Sequence, residues 1–297
     1  MILVTGCTGF IGRHLFEFMM NANIDVVGLC RPGGYEKNLP DNFISAPVES
    51  WRKVILKLSP DAIVCCDWHG VDSNARQNYD LQKSNYSRIL LSTLSAIESG
   101  CKRVMVLGSQ SEYGYNALNQ SLPETTILRP SDEYAKQKVL LFNKITSLTQ
   151  ETNTIFHWPV LFSAFGSGDR ETTFISEAVK AIARGRTFTI ASPDTQWNFL
   201  HISDVTRSLI LVLNHMESLE RINIGHSTSK SLFEYGLEIG QALGRSDLIE
   251  KLSGPSKLTH HLNPDVTKLL SLGWTPIKEF QSGILEMYNN IAGGSHV

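Results

Sequence analysis

A doubly wound parallel α/β sheet, followed by a smaller mixed α/β lobe, is the architecture this sequence predicts. Three observations predict it. Short apolar runs alternate with amphipathic segments through the first 165 residues, a glycine triplet separates the first run from the first helix, and the alternation loosens afterwards. The runs ILVTG (2–6), IDVVGLC (24–30), DAIVCC (61–66), RVMVLGS (103–109) and TIFHWPVL (154–161) are short, rich in Val and Ile, and bounded by Gly, Pro or polar residues, as buried strands are. Between them, residues 11–21, 49–58, 75–99 and 131–150 carry helical spacing, for example Ile89, Leu90, Thr93, Leu94 and Ile97. Strand and helix alternating in this way give a parallel sheet covered on both faces.

Beyond residue 165, FISEAVKAIARG (174–185) predicts a helix closed by Gly185, and WNFLHI predicts a strand. SDVTRSLILVLNHM predicts a helix with Ser203 or Asp204 as its N-cap, and RINIG a further short strand. Shorter amphipathic helices follow near 231–243, 265–272 and 280–291. The expected division is a dinucleotide domain over 1–165, to which 198–225 returns, and a substrate lobe over 166–297.

Bulk properties narrow the function. A formal net charge of −2 without a Lys/Arg cluster gives no support to a nucleic-acid or membrane-surface partner. The five cysteines (Cys7, Cys30, Cys65, Cys66, Cys101) all precede residue 102 at spacings that match no zinc pattern, and an odd number among apolar neighbours fits a reducing compartment. The start MILVTGCTGFIG has no basic leader and reaches glycine within six residues, and no apolar run approaches a membrane span. The expectation is a cytoplasmic protein acting on a small molecule, without a bound metal.

TGCTGFIG places Gly6, Gly9 and Gly12 between the first strand and first helix. Gly6 permits the tight turn, Gly9 lets a pyrophosphate reach the backbone, and Gly12 lets helix and strand pack closely, with the anion at the helix N-terminus. Gly6, Thr8, Gly9, Phe10, Ile11 and Gly12 are therefore the candidate cradle of a dinucleotide, and the fold class becomes Rossmann-like. At the end of the second strand, an acid would grip the ribose hydroxyls of NAD, whereas an arginine suits the 2′-phosphate of NADP. Cys30 followed by Arg31 favours NADP(H), with NAD(H) the alternative.

Hydride chemistry on a carbonyl or alcohol needs a proton partner, and a tyrosine serves if its pKa is brought down from about 10. A lysine four residues later shares its helix face and favours the phenolate. Tyr79 with Lys83 and Tyr134 with Lys138 both have that spacing. Only the second pair follows a strand ending in a serine, Ser109, and has PSD at its helix head. Ser109, Tyr134 and Lys138 are the candidate catalytic trio, and Tyr79 with Lys83 reads as an ordinary helix face. Tyr134, Lys138 and Pro159 complete the candidate cofactor contacts.

TGCTGFIG, GSQSEYG and YAKQK, with 25 residues from Ser109 to Tyr134, resemble an extended short-chain dehydrogenase/reductase of the NAD-dependent epimerase/dehydratase type. WNFLHISDV, INIG and LGW follow in that family's order, so the resemblance spans essentially the whole chain. It implies a nucleotide-linked sugar substrate, with Tyr134 as acid/base, Lys138 on the nicotinamide ribose and Ser109 orienting the reacting oxygen. It also implies a homodimer built on the helices at 75–99 and 131–150. Sugar 4,6-dehydratases place an Asp-Glu pair just after the serine, and GDP-fucose synthases a cysteine two residues after it. Gln110 and Ser111 stand there instead, neither able to act as a carboxylic acid or base. GSQSEYG and DWHGVDSNARQNYDLQKSN look most like reductases of nucleotide-linked 4-keto-6-deoxy sugars. A sugar 4-epimerase retaining NAD is the first alternative and a dinucleotide-binding regulator without turnover the second.

Two departures from the family pattern bear on the substrate. Where many relatives carry an Arg-Asp pair, this chain has Trp197 and Asn198, leaving Arg170, Arg184, Arg186 or Lys257 to meet a diphosphate. Trp197, Gln110, Ser111, and Trp68 with His69 just past the third predicted strand are the candidate substrate wall. His157 and His201 read as hydrogen-bonded core histidines, and His260 with His261 have no partner at metal-ligand spacing.

Overall fold

The computed structural model describes residues 1–33, 42–117, 120–252 and 260–293. The chain runs β1 (Ile2–Thr5), α1 (Phe10–Asn21), β2 (Val26–Cys30), β3 (Phe43–Ser45), α2 (Val48–Leu58), β4 (Ala62–Cys65), α3 (Tyr79–Glu98), β5 (Arg103–Val106), β6 (Gly108–Ser109), α4 (Glu133–Gln150) and β7 (Ile155–Leu161). It continues through β8 (Ser163–Phe165), α5 (Phe174–Ala183), β9 (Phe188–Ile190), β10 (Gln196–Trp197), β11 (Phe199–His201), α6 (Ile202–Leu213) and β12 (Leu219–Ile224). β13 (Lys230–Ser231), α7 (Leu232–Ala242), β14 (Ile249–Lys251), α8 (Thr267–Ser271) and α9 (Phe280–Gly293) complete it.

The main sheet has the order β12-β7-β5-β4-β1-β2-β3, with β6 also on β7. β1 is parallel to β2 on one side (Leu3 opposite Val27) and to β4 on the other (Leu3 opposite Ile63). The winding reverses at β1, so the crevice outside the carboxyl ends of β1 and β4 is the place where such sheets bind ligands. β4 is buried along its whole length, as a strand covered on both faces must be.

Four expected elements take a different form. The helix expected over 75–99 is broken into a 3-10 turn, Ala75–Gln77, and α3, because Asn78 leaves helical geometry and its side chain accepts the Leu81 N–H at 3.0 Å. RVMVLGS is two strands, β5 and β6, with Leu107 between them. WNFLHI is likewise two short strands, β10 and β11, which flank a buried Asn198. α6 begins at Ile202, so Ser203 and Asp204 lie inside its first turn and not at an N-cap. The Asp204 carboxylate instead accepts the backbone N–H groups of Ile277 and Lys278 and pairs with Arg207 at 2.8 Å.

Two compact units share the chain. The first comprises Met1–Gly114, Ile127–Leu161 and Leu209–Ile222, and holds the main sheet with α1 to α4. The second comprises Tyr115–Thr126, Phe162–Ser208 and Asn223–Val297. The expected limit at 165 and return segment 198–225 thus compare with 161 and 209–222, and Tyr115–Thr126 joins the second unit. That unit has its own core, in which Phe165, Ile175, Val179, Tyr235, Ile239 and Ile284 are buried together. Its strands form three small pairs: β8 with β11, β9 with β14, and β10 with β13.

Candidate active site

All the loops that carry chemistry in the first unit leave the carboxyl ends of parallel strands. After β1, Gly6 adopts φ +69°, and a Cβ there would stand 2.6 Å from the Asp67 backbone. A Cβ on Gly12 would lie 2.2 Å from the Gly6 carbonyl oxygen, so only glycine lets α1 close onto the strand. Gly9 precedes α1 in extended geometry, is exposed, and no acidic residue occupies the first turn of the helix. A turn of bare backbone at an uncompensated helix N-terminus fits a pyrophosphate.

After β4, Asp67 forms a buried ion pair with Arg88 of α3 at 2.6 Å and accepts a hydrogen bond from the Thr5 hydroxyl. This tethers the loop to β1 and α3. Trp68, the next residue, donates its indole N–H to Gln82 at 2.7 Å and packs edge-on against Tyr134, with ring centroids 5.6 Å apart. His69 is held through its backbone, by the Asn85 side-chain amide, and is exposed.

After β6, a 3-10 turn over Gln110–Tyr113 is closed by a capping box, in which the Glu112 carboxylate accepts the Ser109 N–H at 2.7 Å. Glu112 is fully buried, accepts the Trp158 indole N–H on both oxygens (3.2 and 3.1 Å), and burial raises its pKa. α4 begins at the same end of the sheet, capped by Asp132, which accepts the Ala135 N–H at 2.7 Å. One turn along α4 separates Tyr134 from Lys138.

These elements bring the trio together. Tyr134 is 8% exposed, and the Ser109 side chain favours its phenolate against the effect of burial. Lys138, 3% exposed, donates to the Leu107 carbonyl oxygen and stands 4.1 Å over the Trp68 ring. Burial pushes the Lys138 ammonium down to about 8, opposed by the carboxylates of Glu112 and Asp67. The Leu107 carbonyl engaged by this lysine lies between β5 and β6. One expectation is corrected: the Tyr134 phenol is raised above its usual value, not lowered. Burial dominates, and the Ser109 side chain and the Arg76 charge oppose it.

The NAD dependent epimerase/dehydratase family profile matches residues 2–225. The chain belongs to that family. A GDP-L-fucose synthase from Sinorhizobium fredii is 22% identical over 97% of this chain and 94% of its own length. A GDP-6-deoxy-D-mannose reductase from Pseudomonas aeruginosa is 25% identical over 73% of this chain and 71% of its own. Among solved structures, a UDP-glucose 4-epimerase from Thermotoga maritima with UDP-glucose superimposes with a TM-score of 0.85 at 18% identity, covering 99% of both chains. A UDP-glucose 4-epimerase from Thermus thermophilus in complex with NAD gives 0.83 at 19% identity, covering 98% of this chain and 99% of its own. These likenesses show that the chain has the fold of the family's epimerases.

Within this family member, the structure gathers Ser109, Tyr134, Lys138, Trp68, Gln110 and Ser111 around one point. The Ser111 hydroxyl is 3.3 Å from that of Ser109 and donates to the Gln110 side-chain Oε1 at 3.0 Å. Arg31 is exposed at the end of β2, and Pro159 is buried in β7. Trp197 belongs to the second unit, where its indole N–H donates to Ser163 at 2.7 Å and its ring meets His260 edge-on. Asn198, beside it, accepts the His226 N–H and donates to the His226 carbonyl oxygen, a structural tie. Arg170, Arg184 and Arg186 are exposed, and Lys257 lies outside the described residues. His157 accepts the Leu219 N–H, and His201 is 2.8 Å from the Ser203 hydroxyl.

The sequence reading missed Arg76. Its guanidinium carbon lies 4.7 Å from the Tyr134 ring centroid, its Nε donates to Asp132 at 2.8 Å, and one terminal nitrogen donates to the Ser111 hydroxyl. No spacing rule points to it, because its contacts are 35 to 58 residues away along the chain. Among the described residues no helix is long and apolar enough to cross a membrane, and no three His, Cys, Asp or Glu side chains gather as metal ligands do.

Proposed function

We propose that the protein is an NADPH-dependent reductase of the C4 ketone of a nucleotide-linked 4-keto-6-deoxy sugar. The observation that carries this reading is the buried Tyr134 and Lys138 beside half-buried Ser109, with no uncommitted carboxyl next to them among the described residues. Gln110 and Ser111 follow Ser109, and the nearby carboxyl, Glu112, is fully buried and engaged by the Ser109 backbone and the Trp158 indole. Proton traffic at the sugar's neighbouring carbons, which dehydration needs, therefore has no carboxyl group in place after Ser109.

Gly6, Thr8, Gly9, Phe10, Ile11 and Gly12 would hold the pyrophosphate, Arg31 the 2′-phosphate, and Lys138, Tyr134 and Pro159 the nicotinamide end. A nicotinamide bound there supplies or takes up hydride. The chain's own part is acid/base chemistry and orientation. Burial keeps the Tyr134 phenol protonated, the form required to hand a proton to an oxygen that is becoming an alkoxide. The Ser109 hydroxyl, whose interaction with that phenol favours the phenolate, would orient the same oxygen. Trp68, His69, Gln110 and Ser111 are assigned to the substrate. Leu94 of α3 and Leu140 of α4 are exposed apolar residues on the two helices assigned to a homodimer, which light scattering on the purified protein would test.

A 4-epimerase is the second reading, favoured by the full-length likeness to UDP-glucose 4-epimerases. The test is to mix the protein with NADPH or NADH and CDP-, dTDP- and GDP-linked 4-keto-6-deoxy sugars while following reduced-nicotinamide absorbance. Stoichiometric NADPH loss with one sugar, absent in Tyr134→Phe, supports the reductase. No loss with any sugar, together with NAD that survives dialysis, transfers the assignment to the epimerase.

A further inference from the structure

We propose that Arg76 is a positioning residue of this active site, clamping the loop after β6 to the cap of α4 and holding a positive charge over the ring of Tyr134. The inference rests on the reading of Tyr134 as the proton partner. Three independent contacts carry it. The Arg76 Nε–Asp132 pair is 2.8 Å long with side chains only 25% and 13% exposed, and Asp132 is the residue that caps the helix bearing Tyr134 and Lys138. The second contact is to the Ser111 hydroxyl, itself 3.3 Å from Ser109. The third is the guanidinium lying over the Tyr134 ring. A planar fork can serve a carboxylate and a hydroxyl at once while stacking on an aromatic face, which a lysine ammonium cannot.

The charged and titratable groups facing Tyr134 define what Arg76 does. The Asp132 carboxylate at the head of α4 and the buried Glu112 of the 3-10 turn both oppose loss of the phenolic proton. Lys138 on the same helix stands 5.8 Å from the ring centroid, its proton directed to the Leu107 carbonyl. Arg76, the nearer of the two cations over the ring, acts on the phenol against two carboxylates, and it also keeps Ser111 within reach of Ser109.

Two measurements test this. The first needs no substrate: tyrosinate absorbance is titrated, and the Tyr134 component is isolated by subtracting Tyr134→Phe in each background. In Arg76→Gln the Tyr134 component should move to higher pH, while Arg76→Lys, which keeps the charge but not the fork, should stay nearer the wild type. The second is steady-state kinetics, where Arg76→Gln should lose about tenfold or more in kcat with a smaller change in KM. Circular dichroism confirms folding, and Arg76→Met replaces Arg76→Gln should the latter not fold. A Tyr134 titration that stays put in the folded, uncharged variant overturns the inference. Should the titration move while Tyr134→Phe retains full activity, the reading of Tyr134 as proton partner fails and the positioning role falls with it.

Discussion

Tyr79 with Lys83 and Tyr134 with Lys138 share a four-residue spacing on a helix, and the fold gives them opposite environments. Tyr79 is the first residue of α3, 55% exposed, and Lys83 turns to the ring of Tyr86, 4.4 Å away. Tyr134 and Lys138 are buried, and each touches side chains or carbonyls from other elements: Ser109, Trp68, Leu107 and Arg76. Helical spacing places two groups on one face; it does not desolvate them or supply partners. Those come from neighbouring strand ends, and desolvation is what moves a phenol or ammonium away from its ordinary pKa.

The largest expected contrast is in turnover. Tyr134→Phe should lower kcat by about 10²–10⁴-fold, the range of a lost acid/base group, whereas Tyr79→Phe should leave it unchanged. Steady-state rates of the two variants, measured side by side, decide it, and equal losses would erase the distinction between the pairs.

Next is the cost of the buried ammonium. The folded protein holds the Lys138 proton less tightly than the unfolded chain does, about 8 against 10.5, so unfolding takes up a proton between those values and stability falls as pH falls through that window. Relative to wild type, Lys138→Met should gain roughly 3 kcal/mol as pH is lowered from about 10.5 to below about 8, readable by urea unfolding at several pH values. A gap that does not change with pH would mean that Lys138 is solvated after all.

A smaller effect tests the wall shared by the buried pair. Trp68→Ala removes the ring beneath Lys138 and beside Tyr134, and should destabilise by about 1–3 kcal/mol, less than for a fully buried tryptophan. Thermal or urea unfolding measures it, and a change within error would show the indole to be mere covering. The smallest effect belongs to the exposed pair: Lys83→Met should stay within about 0.5 kcal/mol of wild type in the same experiment.

The glycine loop was legible because its requirement is local. Gly6 needs a positive φ and Gly12 must meet the Gly6 carbonyl within six residues, so the sequence has to declare them. The strands of the parallel sheet were legible for a related reason, since burial on both faces demands continuous apolar runs. β3 was not read, because a three-residue edge strand offers too short a pattern. The break before α3 depends on one asparagine side chain reaching a backbone N–H, and helical spacing runs through such a residue unmarked.

The sequence by itself determined the order of the longer strands and helices, the glycine loop as a candidate dinucleotide cradle, and the serine, tyrosine and lysine as candidates, because periodicity, glycine demand and i to i+4 spacing are short-range properties. Only the tertiary structure decided which tyrosine is buried, that burial raises its pKa, and that Arg76 joins Lys138 over its ring. Those outcomes depend on how four loops converge at the end of one sheet, where low polarity and groups distant in sequence set the electrostatics together.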